Sequence, residues 1–424
     1  MTEVQKIKPV DKVEGVVSVP GSKSITNRAL VIAALAEGTS ILRGMGQGDD
    51  VERMLECLGR LGFEIECDGD ICRVTGLGGK IPAGNAVLDA GNSGTTIRFL
   101  TAMASLGEGT YTLDGNERMR ERPIGDLIDA LRQLGVKFEE NQGRCPPVAM
   151  TGGTGAGGKV KVKGSSSSQY ITALLMIAPY LEKGLTIEID GELVSKPYID
   201  ITVSVMEKFG VPVRNDGYRR ISVDGGRAYR PMEYGIEGDA SAASYFLAAA
   251  AICGGAVRVK NVNIGSVQGD AGFADLLGRM GCEVSDNGDG IKVESARGAL
   301  RGLDVDMNDM PDMVQTLAVV SLFAGGRTVI RNVSNLRLKE TDRLSALTTE
   351  INKLGARAIE REDGIDIEPG ELHGARIKTY DDHRMAMSFA LAGLRVDGVK
   401  IEDPGCVAKT FPRYFEVLES ICRR

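Results

Sequence analysis

The chain has 424 residues, 26% of them charged, with 58 acidic residues against 51 basic ones and a formal net charge of −7. That length exceeds what one hydrophobic core usually organises, so two domains are expected; the ordinary apolar and charged fractions exclude a disordered chain, and the acid excess excludes a protein with a broad nucleic-acid-binding surface. The eight cysteines show no CxxC pair and no metal-ligand spacing, which predicts reduced thiols and no metal, while the charged start MTEVQKIKPVDK and the shortness of apolar runs such as ALLMIAPYL predict a cytoplasmic protein with neither signal peptide nor membrane span.

The first segment, VQKIKPVDKVEGVVSVPG, is β-like. Residues 21–30, GSKSITNRAL, then open an apolar helix with Lys23 and Arg28 near its positive end. Cations there are disfavoured by a few tenths to roughly 1 kcal/mol, so an anion is expected to share the place. The helix continues through LVIAALAEGTSIL, and the order of apolar helix, glycine and β-rich run recurs in FLTAMASLGEGTYTL, ITALLMIAPYLEKGLTIEI, YFLAAAAICGGAVRV, LAVVSLFAGGRTVI and MAMSFALAGLRVDGVKI. The glycines fall at 38, 109, 184, 255, 326 and 398, spaced by 71 to 75 residues, which defines six repeats.

Each of the first five repeats holds a second, amphipathic run that stops at a glycine before a strand pair: CLGRLGFEIE, ALRQLGVKFEE, VMEKFGVPVR, LLGRMGCEVS and EINKLGARAIE. Turn residues such as DGD, NDG and NGDG follow. A repeat therefore reads strand, helix A, strand, helix B, hairpin. The sixth ends after FPRYFEVLESICRR with no hairpin, and the N-terminal β-like segment is the piece that could supply its missing strands. The expected organisation is an α/β protein of two pseudo-threefold domains: 1–19 with 238–424, and 20–237 inserted between. A solenoid that stacks repeats is the alternative; repeats above the usual 20 to 45 residues and the closure by the N-terminus argue against it.

Helix A starts with PGSKSITNR, AGNSGTTIR, GSSSSQYIT, EGDASAASY, NDMPDMVQT and YDDHRMAMS in the six repeats. Small and hydroxyl residues there let backbone N–H groups approach an anion, though each alone also reads as an ordinary N-cap. Helix B starts carry ERMRERPIG, LVSKPYIDI, NLRLKETDRL and CVAKTFPRYF, which place Arg118, Arg120, Arg122, Lys196, Tyr198, Lys339, Glu340, Arg343 and Lys409 at equivalent positions. Two such cations at 4 Å repel by ~4 kcal/mol at an effective dielectric near 20, so a shared cleft is expected to need anions. GTGAGGKV, 153–160, matches the glycines of a P-loop but has Val for Ser or Thr and runs into a strand; a hairpin loop is expected. SSSSQ is a linker or a phosphate-cradling helix start. With only His373 and His383 there is little material for a Ser-His-Asp mechanism, and Glu340 is the better acid-base candidate; KETDRL also reads as a solvated helix start, and Asp312 as a cap or a base.

In order along the chain, PGSKSITNRAL, GNSGTTIRF, RMRERPIGDL, SSSSQYITALLM, LVSKPYIDIT, EGDASAASYFLAAAA, KETDRL, DDHRMAM and AKTFPRYF resemble the 5-enolpyruvylshikimate-3-phosphate synthase family essentially end to end. The resemblance implies the enolpyruvyl transferase fold, an inside-out α/β barrel in each domain, with the active site in the interdomain cleft. It implies transfer of the enolpyruvyl group of phosphoenolpyruvate to shikimate 3-phosphate, without metal or organic cofactor. No heptad seam is evident, so a monomer is expected, and the acid excess and short apolar runs predict binding to neither nucleic acid nor membrane. It further implies that Lys23, Ser24, Arg28, Ser167, Ser168, Gln169, Ser195, Tyr198, Asp312, Asn335 and Lys339 hold shikimate 3-phosphate. Lys23, Asn92, Gly94, Thr95, Arg122, Gln169, Arg343, Arg384 and Lys409 would hold phosphoenolpyruvate, with Asp312, Glu340 and Lys23 catalytic. GNSGTT departs mildly in having Ser93 and Thr96 where many relatives carry Ala. The enolpyruvyl transferases of UDP-N-acetylglucosamine share the architecture but typically carry a reactive cysteine before helix B of the second repeat; LDGNERMRERPIG has none, and Cys145 follows that helix. A noncatalytic anion-binding protein is the other alternative, against which Lys23, Asp312, Glu340 and Arg384 count.

Overall fold

A computed structural model of the chain describes residues 3–139, 143–165 and 167–424. Met1 and Thr2 of the N-terminal segment, the turn expected after KFEE at 140–142, and Ser166 within the serine run lie outside the described residues. The chain divides into two compact halves, Gly21–Glu237 and a discontinuous half made of Met1–Pro20 with Gly238–Arg424.

Each repeat owns one sheet, and the sheets share one pairing rule: a leading strand runs parallel to the strand after helix A, which pairs antiparallel with the hairpin after helix B. In the second repeat, Asn85–Asp89 lies parallel to Thr110–Asp114, which is antiparallel to Val148–Thr151. The same rule joins Gly158–Lys163, Leu185–Asp190 and Arg220–Val223 in the third, and Asp304–Asp306, Thr328–Arg331 and Ile365–Glu368 in the fifth.

The N-terminal segment is shared between two sheets instead of serving the sixth alone. Val4–Lys6 pairs antiparallel with Lys400–Glu402 of the sixth repeat, whereas Lys12–Val17 is the parallel leading strand for Gly255–Val259 of the fourth. The corresponding strand for the first repeat, Glu233–Gly235, comes from the far end of the same half and lies parallel to Glu37–Arg43. Its residues, EYG, are too short and too weakly apolar to show an alternating pattern, which is why the sequence did not reveal it.

The helix A segments Lys23–Leu35, Gly94–Ala104, Ser168–Ile177, Ala240–Cys253, Val314–Ser321 and His383–Gly393 are buried nearly all round, as expected of helices apolar on every face. In the discontinuous half they meet through hydroxyls, Ser244 to Thr316 at 3.3 Å and Thr316 to Ser388 at 3.4 Å, so three equivalent positions converge in the core. Helix B is amphipathic and stops as expected: Gly62, Gly135, Gly210, Gly281 and Gly355 have φ between 88° and 114°, a conformation that a side chain would strain. Among the described residues no helix is long and apolar enough to cross a membrane.

One expectation about the thiols is corrected. Cys67 and Cys72 are opposite each other in the hairpin of Glu64–Asp68 with Ile71–Leu77, their Cα atoms are 4.1 Å apart, and a disulfide joins them. Cross-strand register across a short turn brought them together, which a search for CxxC spacing does not detect.

Candidate active site

In the inserted half, Ser22, Ser93 and Ser167 cap their helices, accepting from the backbone N–H groups of Ile25, Thr96 and Gln169. Lys23, the first residue of its helix, reaches Asp50 at 3.0 Å. Asp50 sits at the start of helix Asp49–Arg60, where the dipole favours an acid. Arg28 is only 1% exposed and donates to Thr202 (2.8 Å), Thr172 (3.4 Å) and the carbonyls of Ser24 (2.7 Å) and Tyr198 (3.1 Å), with its guanidinium 5.3 Å from the Phe99 ring. Burial pulls its pKa down to about 10. Arg28 thus ties the first repeat to helix Pro197–Lys208 of the third, next to Ser195, whose φ of 58° is left-handed, and Tyr198.

Arg122 donates to the backbone and side-chain oxygens of Asn92 at 3.1 and 3.2 Å. Arg98 donates to Gln169 Oε1 at 2.5 Å and to the carbonyl of Pro123 at 3.2 Å. Between them lies Gly94: a Cβ there would stand 2.6 Å from Arg122 Nη2 and 3.0 Å from Arg98 Nη1, so no side chain fits unless the guanidinium groups move. Thr95 accepts from Asn27 at 2.7 Å. The other two arginines of RMRER lie outside this cluster, Arg120 paired with Asp114 and Arg118 with Glu121, both among exposed groups.

In the discontinuous half the cations are wrapped in carboxylates. Arg343, buried at the start of helix Arg343–Lys353, donates to Asp312 at 3.0 Å, Glu340 at 2.9 Å and Asp382 at 2.7 Å. Burial works against its charge, but Asp382, Glu340 and Asp312 together raise its pKa above the ordinary value. Arg384 donates to Asp312 at 2.8 Å, Lys339 stands 3.6 Å from the same carboxylate, and Lys409 stands 3.9 Å from Glu340. Asp382 also caps its own helix by accepting from the Arg384 N–H at 2.9 Å.

These contacts resolve several alternatives. Asp312 is more than a cap: it lies on the 3-10 turn Pro311–Met313 and gives both oxygens to arginines. Glu340 is 9% exposed and not a solvated helix residue; the cap of its helix is Asp342. The expected helix B starts shift, because Met119–Glu121, Ser334–Leu338 and Pro404–Lys409 are 3-10 turns ahead of the α-helices, with Asn335 on the second of them. Lys339, Glu340 and Lys409 therefore precede helix B and Arg343 begins it, while in the third repeat Lys196 and Tyr198 stand at the start of helix Pro197–Lys208 as expected. The GTGAGGKV stretch leads into strand Gly158–Lys163 and not into a helix, so it is no P-loop, but the expected hairpin is corrected: Val148–Thr151 before it and Gly158–Lys163 after it belong to different sheets, and the glycines link the second repeat to the third.

Three residues of these clusters were not singled out from sequence: Asp50, Arg98 and Asp382. Each looks locally ordinary, an acid at a helix start, an arginine inside an apolar helix, a capping Asp. The one available signal was Arg98, a charge within an otherwise apolar helix A. Cys145, though it follows helix B in sequence, donates to the Glu121 carbonyl at 3.5 Å and so lies beside Arg122. Burial raises its pKa, which keeps it a thiol and disfavours a nucleophilic role.

The chain matches the family described as EPSP synthase (3-phosphoshikimate 1-carboxyvinyltransferase) over residues 7–418. It is 51% identical over 427 residues to the 3-phosphoshikimate 1-carboxyvinyltransferase of Serratia proteamaculans (strain 568), covering 99% of each chain. It is 49% identical over 418 residues to that of Marinomonas sp. (strain MWYL1), covering 97% of this chain and 98% of the relative. Among solved structures it is similar to an EPSP synthase from Acinetobacter baumannii, with a TM-score of 0.82 at 26% identity, covering 100% of this chain and 98% of that one.

Proposed function

The chain belongs to the EPSP synthase family, and from that premise we infer how its own residues divide the reaction. It is a transferase of aromatic amino acid biosynthesis that moves the enolpyruvyl group of phosphoenolpyruvate onto the 5-hydroxyl of shikimate 3-phosphate and releases phosphate. We assign Lys23, Ser24, Arg28, Ser167, Ser168, Gln169, Ser195, Tyr198, Asn335 and Lys339 to shikimate 3-phosphate, and Lys23, Asn92, Gly94, Thr95, Arg122, Gln169, Arg343, Arg384 and Lys409 to phosphoenolpyruvate. Arg28 serves the first substrate mainly by holding the third repeat's helix, since four of its hydrogen bonds go to protein oxygens.

The observation that carries the reading is that Asp312 and Glu340 share one guanidinium, Arg343, at 3.0 and 2.9 Å. Two carboxylates on one cation are the material for two proton transfers in one turnover. As the substrate hydroxyl oxygen bonds to C2 of phosphoenolpyruvate, its proton passes to Asp312, while a proton held by Glu340 goes to the methylene carbon and makes a methyl group. Glu340 then takes back a methyl proton as the bond from C2 to the phosphate oxygen breaks, and the proton on Asp312 leaves with the released phosphate or to solvent, which restores both carboxyl groups. Fixed cations stabilise the charge that develops, so the reading requires no metal or organic cofactor.

We place the enzyme in the cytoplasm as a monomer. The test is phosphate release by the purified chain: release with both substrates and none with either alone is expected. Release with UDP-N-acetylglucosamine in place of shikimate 3-phosphate, or no release with both substrates, would overturn the assignment.

A further inference from the structure

The turn ahead of helix B carries a basic residue in four repeats; the first, GQGDD, and the fourth, VQGDAG, have none. The acid of the fourth, Asp270, lies on the 3-10 turn Gly269–Gly272 and is 6% exposed. The Ser241 hydroxyl, at the start of helix A of the same repeat, donates to Asp270 Oδ2. Arg384 Nη2 in turn donates to Ser241 Oγ at 3.3 Å and to Asp312 Oδ2 at 2.8 Å, while its Nη1 donates to the Tyr245 hydroxyl at 3.4 Å. A serine hydroxyl has one proton: once that proton is given to a carboxylate, the oxygen's lone pairs are left for the guanidinium.

We propose that Asp270 is a positioning residue for the transfer reaction, orienting the Ser241 hydroxyl so that Arg384 is held against Asp312 in the geometry that receives phosphoenolpyruvate. The proposal rests on the assignment of Arg384 to that substrate. Asp270 takes no part in bond making. It supplies the charge-assisted anchor of a relay that runs from the fourth repeat to the sixth and back to the fifth, and removing its charge loosens the arginine without removing it.

The charged groups facing Asp270 are Asp239, Asp312 and Arg384. Burial foremost, and the charge of Asp312 next, push its pKa up to about 6, against the pull of Arg384 and Ser241. Two consequences separate positioning from bulk structure. Protonation below about pH 6 removes the anion that orients Ser241, so the relay weakens as the medium becomes acid. The folded-state pKa is raised, so the native state binds the proton more tightly than the unfolded chain; ionising Asp270 therefore costs stability as pH rises from 4 to 6, and a neutral residue there avoids that cost at pH 8.

Steady-state kinetics of Asp270→Asn across pH 5.5 to 8 test the idea. The expected result at pH 8 is a KM for phosphoenolpyruvate raised about tenfold, with a smaller change in kcat and a melting temperature no lower than the parent's. The ratio of variant to parent KM should shrink toward one as pH falls. Substrate phosphates also titrate near 6, but they do so equally for both proteins, so the ratio isolates Asp270. Ser241→Ala should raise KM similarly, and the double variant no further than the stronger single, as expected of one linked relay. If Asp270→Asn proves unstable, Ser241→Ala alone reads the link. Unchanged KM in both variants while Arg384→Ala raises it, or a KM ratio constant with pH, overturns the role of Asp270. Unchanged KM in Arg384→Ala overturns both this inference and the substrate assignment beneath it.

Discussion

The two halves repeat one scaffold, yet they hold their arginines differently. In Gly21–Glu237, Arg28, Arg98 and Arg122 are fixed by hydroxyls, an amide and peptide carbonyls. In the other half, Arg343 and Arg384 are fixed by Asp312, Glu340 and Asp382. A cation held by neutral oxygens keeps its field for an incoming anion. A cation held by carboxylates has part of its field taken up, and besides meeting a substrate it brings acids together. Arg98 and Arg122 also crowd the same side of Gly94, and like charges brought together in this way repel by a few kcal/mol at an effective dielectric near 20. A multiply charged phosphate relieves that repulsion, so in our reading the first half contributes mainly to affinity, while the second combines substrate contacts through Arg343, Arg384 and Lys409 with the acids that move protons.

The sharpest way to break this contrast is Glu340→Gln, which leaves shape and hydrogen bonding to Arg343 nearly intact while removing the proton. Turnover should fall by about 10²- to 10⁴-fold with KM values little changed. Near-normal kcat in a phosphate-release assay would take Glu340 out of the chemistry. Arg122→Ala comes next. It removes a charge-assisted contact, and calorimetric titration should show phosphoenolpyruvate binding weakened by about 10- to 100-fold. Unchanged affinity there would mean that the first half does not supply the field argued for it.

Gly94→Ala sharpens the same point with a single methyl group. The added Cβ meets Arg122 Nη2 at 2.6 Å, so the guanidinium must give way while its charge remains. KM for phosphoenolpyruvate should rise by about tenfold, the equivalent of roughly 1.4 kcal/mol, with kcat less affected. An unaltered KM would show that Arg122 relaxes freely and that its position is not what the site depends on.

Much of this was legible in the sequence because repetition multiplies weak signals. One glycine after an apolar run says little, but six at a nearly constant spacing place six strands and six buried helices. The motifs at helix starts pointed to Asp312, Glu340, Arg122 and Arg343 for the same reason. What stayed hidden was pairing across repeats: strand Glu233–Gly235 completing the first repeat's sheet, Lys12–Val17 serving the fourth and not the sixth, and Cys67 facing Cys72. The carboxylates behind the cations of the discontinuous half were hidden too, because Asp382 looks like an ordinary cap until a distant arginine is seen on it, and Asp270 like an ordinary turn residue until Ser241 is seen to link it to Arg384. Long-range partners are chosen by the fold, and a local pattern carries no trace of them.

The smallest expected effect tests the contrast from inside one motif. RMRER holds three arginines within five residues, and sequence alone treats them as equivalent. Arg122 is buried against Asn92, whereas Arg120 is exposed and makes a two-pronged pair with Asp114, through Nε at 3.0 Å and Nη2 at 2.6 Å. An exposed pair of this kind contributes little, and its charge is screened within about a Debye length of ~8 Å at physiological salt. Arg120→Ala should therefore leave KM for both substrates and kcat within about twofold of the parent, with a near-unchanged melting temperature. If its KM for phosphoenolpyruvate instead rose as far as that of Arg122→Ala, net positive charge along the segment would be the operative quantity, and the distinction between buried, neutrally held arginines and surface-paired ones would fall.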